Sequence, residues 1–212
     1  MNHNPLYPIF LKLHEMHLLI VGAGEVGYEK VSFMLKSSPR ARITLVAPWV
    51  NPEIISLLDQ MPEHRVDLLR KPFDPDDLAG KDLVVAATNI PALNQQVRAY
   101  AKKAGLLVNV ADTPDLCDFY LGAIVTRGDL KIAISTNGKS PTFAKRFRQL
   151  LESSLPEETD DLLQHLKAFR DTLSGDFEEK VQALNQLTAA LLAESTTTGR
   201  GAPAPNSAHD QS

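Results

Sequence analysis

Cysteine and aromatic residues are scarce in this chain. Among 212 residues there is one cysteine and one tryptophan, and aromatic residues make up only 6%. A single cysteine excludes an intrachain disulfide and fits a reducing compartment, so we expect a cytoplasmic protein. No partner pattern surrounds Cys117, and we interpret it as a packed apolar side chain rather than a nucleophile.

Long apolar runs and an excess of basic charge are also missing. No stretch approaches the roughly 18 apolar residues typical of a membrane-spanning helix, so we expect no membrane segment. The first ten residues lack the basic and apolar regions of a secretory leader. A net charge of −4 argues against a general nucleic-acid binder. The length is enough for one sizeable domain plus a smaller one, and 43% apolar residues are enough to bury a core.

A strand, a glycine-rich turn and a helix dominate the N-terminal region. Four aliphatic residues, Leu18–Val21, predict a strand buried on both faces, as in a parallel sheet. Gly22, Gly24 and Gly27 follow at the G-x-G-x-x-G spacing. Apolar positions up to Leu35 predict a helix, whose N-terminus offers free N–H groups to the phosphates of a dinucleotide. The predicted cofactor-binding residues of this loop are Gly22, Gly24, Glu25, Val26 and Gly27.

The second predicted strand, Ala41–Ala47 with the run Arg42–Val46 inside it, ends without the acidic residue that usually binds the adenine ribose. Ala47-Pro48-Trp49 stands where Asp or Glu is typical. The motif therefore leaves the choice between NAD and NADP open. We expect backbone groups around Pro48 and Trp49 to bind the ribose instead. Nearby, His14 and His17 are interpreted as surface histidines rather than metal ligands.

Strands and helices continue to alternate up to residue 112. The predicted elements are helices over Pro52–Met61 and Pro91–Ala104 and strands over Val66–Arg70, Asp82–Thr88 and Leu106–Ala111. This alternation predicts an α/β fold with a Rossmann-like doubly wound parallel sheet. Ligands bind such sheets at the carboxyl ends of the strands, so Thr88 and Asn89 are further predicted cofactor contacts.

The pattern changes after residue 112. Two strand-like runs, Phe119–Arg127 and Leu130–Thr136, predict an antiparallel hairpin that turns at Gly128-Asp129. Pro141 begins a predicted helix that ends near Leu151. Two more amphipathic helices are predicted over Glu157–Ser174 and Asp176–Ala193. The Thr-, Gly-, Ala- and Pro-rich segment 196–212 cannot bury a core and is predicted to be disordered.

Two features indicate chemistry beyond cofactor binding. Asp112 directly follows the fifth predicted strand, where a carboxylate can accept a proton from a substrate. The alternative for Asp112 is a turn-forming role before Thr113-Pro114. The second feature is a basic segment, Thr126–Arg148, with six basic residues against one acid in an acidic chain. It favours a polyanionic ligand, with a solvated helix face as the alternative.

Together these motifs resemble one known family. The glycine loop with Lys30, the run Asn109–Asp112 and the run Ile134–Pro141 are similar to the N-terminal module of sirohaem synthases and to stand-alone precorrin-2 dehydrogenases. Further matches are Pro8-Ile9-Phe10, Ala86-Ala87-Thr88-Asn89 and Asn94-Gln95, in the family's order and spacing. The similarity covers about residues 5–155, and the missing ribose acid agrees with it.

The resemblance implies NAD-dependent oxidation of precorrin-2 to sirohydrochlorin, with NAD as cofactor and Asp112 as catalytic residue. The substrate is a tetrapyrrole rich in carboxylates, which gives the basic segment a purpose. Bifunctional members also insert ferrous iron into sirohydrochlorin as a substrate; the sequence leaves this second activity open, and no resident metal site is expected. The substrate-binding residues that the resemblance implies are Asn109, Ser135, Thr136, Asn137, Lys139, Ser140 and Arg146.

The resemblance also implies an organisation. Family members form homodimers through the region that follows the Rossmann part, so we expect the hairpin to contribute to a dimer. The expected regions are an NAD-binding domain over 1–112, a dimerisation and substrate-binding α+β region over 113–150, a helical region over 151–195 and a tail over 196–212.

Two departures from the family's fusion enzymes stand out. Thr136 occupies the position of a phosphorylatable serine, which puts that regulation in doubt. The large methyltransferase domain is not in the sequence, so we expect another protein to methylate uroporphyrinogen.

A different class, a non-catalytic NAD-sensing regulatory module, is the alternative hypothesis. Such modules typically keep an acid at the end of the second strand, which this chain lacks, and they give no purpose to Asp112 or the basic segment.

Overall fold

A five-stranded parallel sheet forms the centre of the fold in the computed structural model, which describes residues 4–173 and 177–189. Its strands are β1 (His17–Val21), β2 (Arg42–Val46), β3 (Arg65–Leu69), β4 (Leu83–Ala86) and β5 (Leu107–Val110). The order across the sheet is β3-β2-β1-β4-β5: strands are added on one side of β1 up to β3 and on its other side from β4, so the strand order reverses between β1 and β4. Val21 is in register with Val46 on one side and with Ala86 on the other. The crevice at this reversal lies outside the carboxyl ends of β1 and β4, where sheets of this kind bind ligands.

The sheet is buried on both faces, as its aliphatic strands predict. Helices α1 (Glu25–Ser37), α2 (Pro52–Asp59) and α3 (Pro91–Lys103) connect the strands. Alternate residues of β1 enter two separate apolar clusters. Leu18 and Ile20 pack in the cluster that contains Val31 and Leu35 of α1, whereas Leu19 and Val21 pack with Val97 of α3.

An antiparallel hairpin and a helix follow the sheet. The hairpin consists of β6 (Ala123–Arg127) and β7 (Leu130–Ile134), and α4 (Pro141–Ser154) packs against β6. Lys131 of β7 donates a hydrogen bond to the carbonyl of Ser37 at the end of α1. The hairpin is therefore connected to the helix that begins at the glycine loop.

Two further helices, α5 (Thr159–Thr172) and α6 (Phe177–Thr188), follow in chain order. A first compact unit extends to Thr159, and the remainder forms a second unit. No helix within the described ranges is long and apolar enough to cross a membrane. The predicted tail over 196–212 lies outside the described residues.

The predicted fold class is confirmed, and the differences are local. The strand-like runs predicted for the hairpin, Phe119–Arg127 and Leu130–Thr136, are longer than the strands that form, Ala123–Arg127 and Leu130–Ile134. The prediction that His17 lies on the surface is wrong. Its side chain is only 8% exposed, and its ring Nε2 lies 2.7 Å from Thr44 Oγ1.

Candidate active site

The glycine loop has the geometry of a phosphate cradle. Gly22 adopts φ +106°, and a Cβ there would lie 2.5 Å from the carbonyl oxygen of Ala87. A Cβ on Gly27 would collide with the carbonyl of Gly22. A Cβ on Gly24, in contrast, would meet nothing within 4 Å. Packing inside the protein thus requires two of the glycines. The third leaves open space, in which a ligand can approach the protein backbone.

The N-terminus of α1 is available to an anion. Gly24 is the N-cap and supplies no side-chain hydrogen bond to the helix. The first backbone N–H groups of the helix therefore receive no hydrogen bond acceptor from the N-cap side chain. They lie at the positive end of the helix dipole. These residues fit the pyrophosphate of a dinucleotide, which they would bind through backbone groups alone.

Asn51, which is not among the residues predicted from the sequence, holds the loop after β2 against the glycine loop. The side chain is 4% exposed, and its Nδ2 donates to Glu25 Oε1 at 3.1 Å. Its Oδ1 accepts from the Glu53 N–H at 2.9 Å and caps α2, while its own N–H donates to the Ala23 carbonyl at 2.8 Å. The Asn51-Pro52 pair is a helix-start signal that could have revealed the cap. The predicted ribose contacts Pro48 and Trp49 lie on this same loop, and Trp49 is 60% exposed.

Asn94 plays a similar role at the end of β4. This buried amide accepts from Thr88 Oγ1 at 2.7 Å and from the Thr88 N–H at 3.2 Å, and it donates to the Thr88 carbonyl at 3.0 Å. Thr88 is thereby fixed next to the glycine loop, since the Ala87 carbonyl borders Gly22. Asn89 follows Thr88 and is exposed.

A cleft of about 330 Å³ lies beside this edge of the sheet. It extends from α1 and the end of β5 to the hairpin and α4. The charged residues that line it are Lys30, Asp112, Lys145 and Arg148. Three cations face one carboxylate, so the cleft suits a ligand with several negative charges.

The structure brings four of the predicted catalytic and substrate-binding residues to this cleft, namely Asn109, Asp112, Ser135 and Thr136. Four others do not line it: Asn137, Lys139, Ser140 and Arg146. Ser140 caps α4 by accepting from the Phe143 N–H, and Arg146 donates to Gln149. Lys145 and Arg148 face the cleft instead of Arg146, because the helix presents positions 141, 144, 145 and 148 on that side.

Asp112 stands at the entrance of the cleft in a strained backbone conformation. Its φ of +57° places a non-glycine residue in the left-handed region, and its side chain is exposed. The segment that carries it is fixed by Asn109, whose Nδ2 donates to the Phe119 carbonyl at 2.8 Å. Left-handed non-glycine residues concentrate at functional sites, where the surrounding contacts maintain them.

Cys117 and Asp118 complete the support of this segment. Burial raises the pKa of the Cys117 thiol, whose Sγ donates to the Val110 carbonyl at 3.2 Å. The thiol is therefore a packed, protonated group, as the sequence predicts. Burial acts to raise the pKa of Asp118, but hydrogen bonds from Lys102 and the Val108 N–H outweigh it and lower that pKa.

Comparisons with known proteins agree with this geometry. A family model described as "Putative NAD(P)-binding" matches residues 9–123, and one described as "Sirohaem biosynthesis protein central" matches residues 127–154. The chain belongs to the sirohaem biosynthesis family of NAD(P)-binding proteins. The family expected from the sequence is thereby confirmed, and so is NAD as the cofactor.

Relatives of this family member include siroheme synthases from Pseudoalteromonas atlantica and Nitrosomonas europaea. The first is 39% identical over 81% of the chain, and the second is 36% identical over 80%. The matched part makes up 36% and 35% of these relatives, so the chain spans little more than a third of their length. Among solved structures, "SirC, precorrin-2 dehydrogenase" is similar with a TM-score of 0.71 and 27% identity, over 90% of this chain and 93% of that one.

Proposed function

We propose that the chain catalyses the NAD-dependent oxidation of precorrin-2 to sirohydrochlorin. The observation that carries this proposal is the lining of the cationic cleft, which combines Asp112 with Lys30 of α1, the helix that begins at the nucleotide loop. The likeness to a precorrin-2 dehydrogenase over 90% of the chain supports the same reaction.

The reaction removes a hydride and a proton from the macrocycle, which is two electrons and two protons in all. A hydride leaves one carbon of precorrin-2 for the nicotinamide, a proton is released, and the products are sirohydrochlorin and NADH. Bound NAD supplies the hydride acceptor. The protein holds the reacting carbon close to that acceptor, which removes much of the entropic part of the barrier.

In this proposal Asp112 receives the released proton. A carboxylate at the entrance of the cleft can accept a proton from the substrate and pass it to water, since its side chain is exposed. Asn109, Ser135 and Thr136 surround the same space and provide polar contacts to the substrate. The predicted roles of Asn137, Lys139, Ser140 and Arg146 stay predictions.

Ferrous iron insertion into sirohydrochlorin stays a prediction as a second activity. Within the described ranges, no three His, Cys, Asp or Glu side chains are grouped to hold a metal ion. The test is a comparison of metal insertion with ferrous iron or cobalt in the presence and absence of the protein. Equal rates would leave the chain a dehydrogenase alone.

We also propose a homodimer in the cytoplasm. Phe143, Phe147 and Leu150 form an exposed apolar face on α4, 58%, 39% and 57% exposed, and the two phenylalanine rings stack at 5.8 Å. Exposed apolar patches of this kind favour association with another protein surface.

The proposed cytoplasmic location is supported by the free thiol of Cys117, which fits a reducing compartment.

The test of the proposed reaction mixes purified protein with NAD and precorrin-2. NADH absorbance should rise together with the spectrum of sirohydrochlorin, in equal amounts. Nucleotide binding without any turnover would contradict the proposal and favour the NAD-sensing alternative.

A further inference from the structure

Lys30 is the cation that the nucleotide-binding domain contributes to the cleft. It lies on α1, shortly after the glycine loop, and its side chain is only 19% exposed. Phe33, three residues further along the same helix, also lines the cleft. Lys30 therefore faces the proposed substrate from the nucleotide-binding domain, whereas Lys145 and Arg148 face it from α4.

The ion pair of Lys30 is a weak one. Its Nζ lies 2.8 Å from Oε1 of Glu29, the preceding residue, whose side chain is 70% exposed. Adjacent residues on a helix do not face each other, so the helix does not favour this pair. Exposed ion pairs are also screened by water and contribute little. A cation on a mostly buried side chain benefits more from a counter-charge inside the cleft.

Arg148 differs in this respect. Its Nη1 lies 2.5 Å from Glu152 Oε1, one helical turn along α4, in the arrangement that stabilises helices. Part of its charge is thus already neutralised by a well-placed partner. Lys30 has the less suitable partner and is the more buried of the two cations, with 19% against 23% of its side chain exposed.

We propose that Lys30 binds a carboxylate of the tetrapyrrole substrate, and that Glu29 occupies the ammonium until the substrate carboxylate displaces it. The assignment rests on the proposed function for the identity of the ligand. It makes α1 a shared element, because the start of the helix binds the nucleotide and its side binds the macrocycle. Lys30 thereby determines specificity for a carboxylated substrate.

The test titrates the protein with uroporphyrin, a stable polycarboxylate tetrapyrrole that does not react. Lys30→Met loses one charge-assisted hydrogen bond to the ligand. We expect its affinity for uroporphyrin to fall about tenfold, which corresponds to about 1.4 kcal/mol. Lys30→Arg should restore most of the affinity. Glu29→Gln should bind more tightly than the natural protein, because it removes the competing carboxylate. Affinity for NAD should stay unchanged in all three variants.

Lys103→Met is the matched control, since this exposed lysine at the end of α3 does not line the cleft. The assignment would be overturned if Lys30→Met bound uroporphyrin as tightly as the natural protein does. It would also be overturned if Lys103→Met lost as much affinity for uroporphyrin as Lys30→Met. A parallel loss of NAD affinity would also overturn it and indicate a structural role.

The outcomes for the assignment and for the proposed reaction can be separated. Unchanged KM for precorrin-2 in Lys30→Met, with active natural protein, would overturn the assignment alone. Lys30-dependent binding of uroporphyrin by a protein that does not oxidise precorrin-2 would overturn the reaction alone.

Discussion

Asp112 combines the two properties that a proton acceptor at a cleft requires. Its carboxylate is in contact with solvent, and its backbone is fixed by neighbours that maintain a left-handed φ of +57°. Asn109 and Cys117 supply those fixing contacts through hydrogen bonds to the Phe119 and Val110 carbonyls. The position of the carboxylate is therefore determined by the end of β5 rather than by its own side-chain bonds.

Replacing Asp112 tests its proposed role. Asp112→Asn keeps the size and removes the proton acceptor, so kcat for precorrin-2 should fall by about a hundredfold or more. NAD affinity, measured by titration, should stay nearly unchanged. Asp115→Asn is the control, because this exposed acid lies in the same segment but does not line the cleft. Full turnover in Asp112→Asn would remove the residue from the mechanism.

Substitutions of two glycines in the nucleotide loop should have different effects, one on stability and the other on NAD affinity. A Cβ on Gly27 collides with the Gly22 carbonyl, so Gly27→Ala should lower the free energy of unfolding by roughly 1–3 kcal/mol, as overpacking does. A Cβ on Gly24 meets open space, so Gly24→Ala should fold normally and lose NAD affinity. Thermal unfolding and NAD titration of both variants separate the two effects. Equal stability of the two variants would contradict this packing.

At the residue scale, the sequence predicted the side chains that act through the local motif and missed those that act through tertiary contacts. Gly22 and Gly27 were identified because their spacing alone specifies the turn. Asn51 was not identified, and Asn94 was noted only as part of the family resemblance, because the contacts of an amide are recognisable only once its partners are adjacent. His17 was misplaced for the same reason, since Thr44 becomes its partner through strand pairing.

At the scale of elements, α4 carries two functions on two faces. Positions 141, 144, 145 and 148 line the cleft, while Phe143, Phe147 and Leu150 form the exposed apolar face. The composition of the basic segment predicted an anionic ligand but not which cations face it. That choice depends on the rotation of the helix about its axis, which is fixed by packing of buried Ala144.

The apolar face of α4 gives a prediction about assembly. Leu150→Asp places a charge on the proposed dimer contact and should convert a dimer to a monomer, as measured by light scattering after size exclusion. The monomer should keep its thermal stability, because Leu150 is 57% exposed in the single chain. Thr142→Asp is the control, since this exposed position belongs to neither face. A natural protein that is already monomeric would contradict the proposal.

At the scale of the whole molecule, the parallel sheet was the most predictable feature. Its strands are continuous aliphatic runs, and alternating helices allow few other arrangements. Two single-turn helices, Pro75–Leu78 and Pro114–Leu116, were not predicted, since they are too short to show a periodicity. The first of them is capped by Asp74, which illustrates how capping residues decide structure where periodicity is absent.

The stability of the whole fold should depend on pH through His17. Burial lowers its pKa, with Lys81 and Arg42 acting in the same direction, while Asp67 and Asp82 oppose the shift. A histidine with a lowered folded pKa binds protons less readily than in the unfolded chain. Its stabilisation is therefore complete above about pH 6.5 and is lost as the pH falls below that value.

Unfolding temperatures at pH 7.5 and 5.5 test this dependence. The natural protein should lose stability on acidification, and His17→Gln should lose less. Identical profiles for His17→Gln and the natural protein would show that His17 does not titrate in this range.

Trp49 gives the molecule a spectroscopic property. It is the only tryptophan in the chain, it is 60% exposed, and it lies on the loop after β2, beside the proposed nucleotide site. Its emission therefore comes from one location, without background from other indoles. Because NADH absorbs where tryptophan emits, reduced nucleotide should quench this emission by energy transfer, whereas NAD should not. The natural chain thus carries an intrinsic fluorophore with which the redox state of its bound nucleotide can be followed without a label.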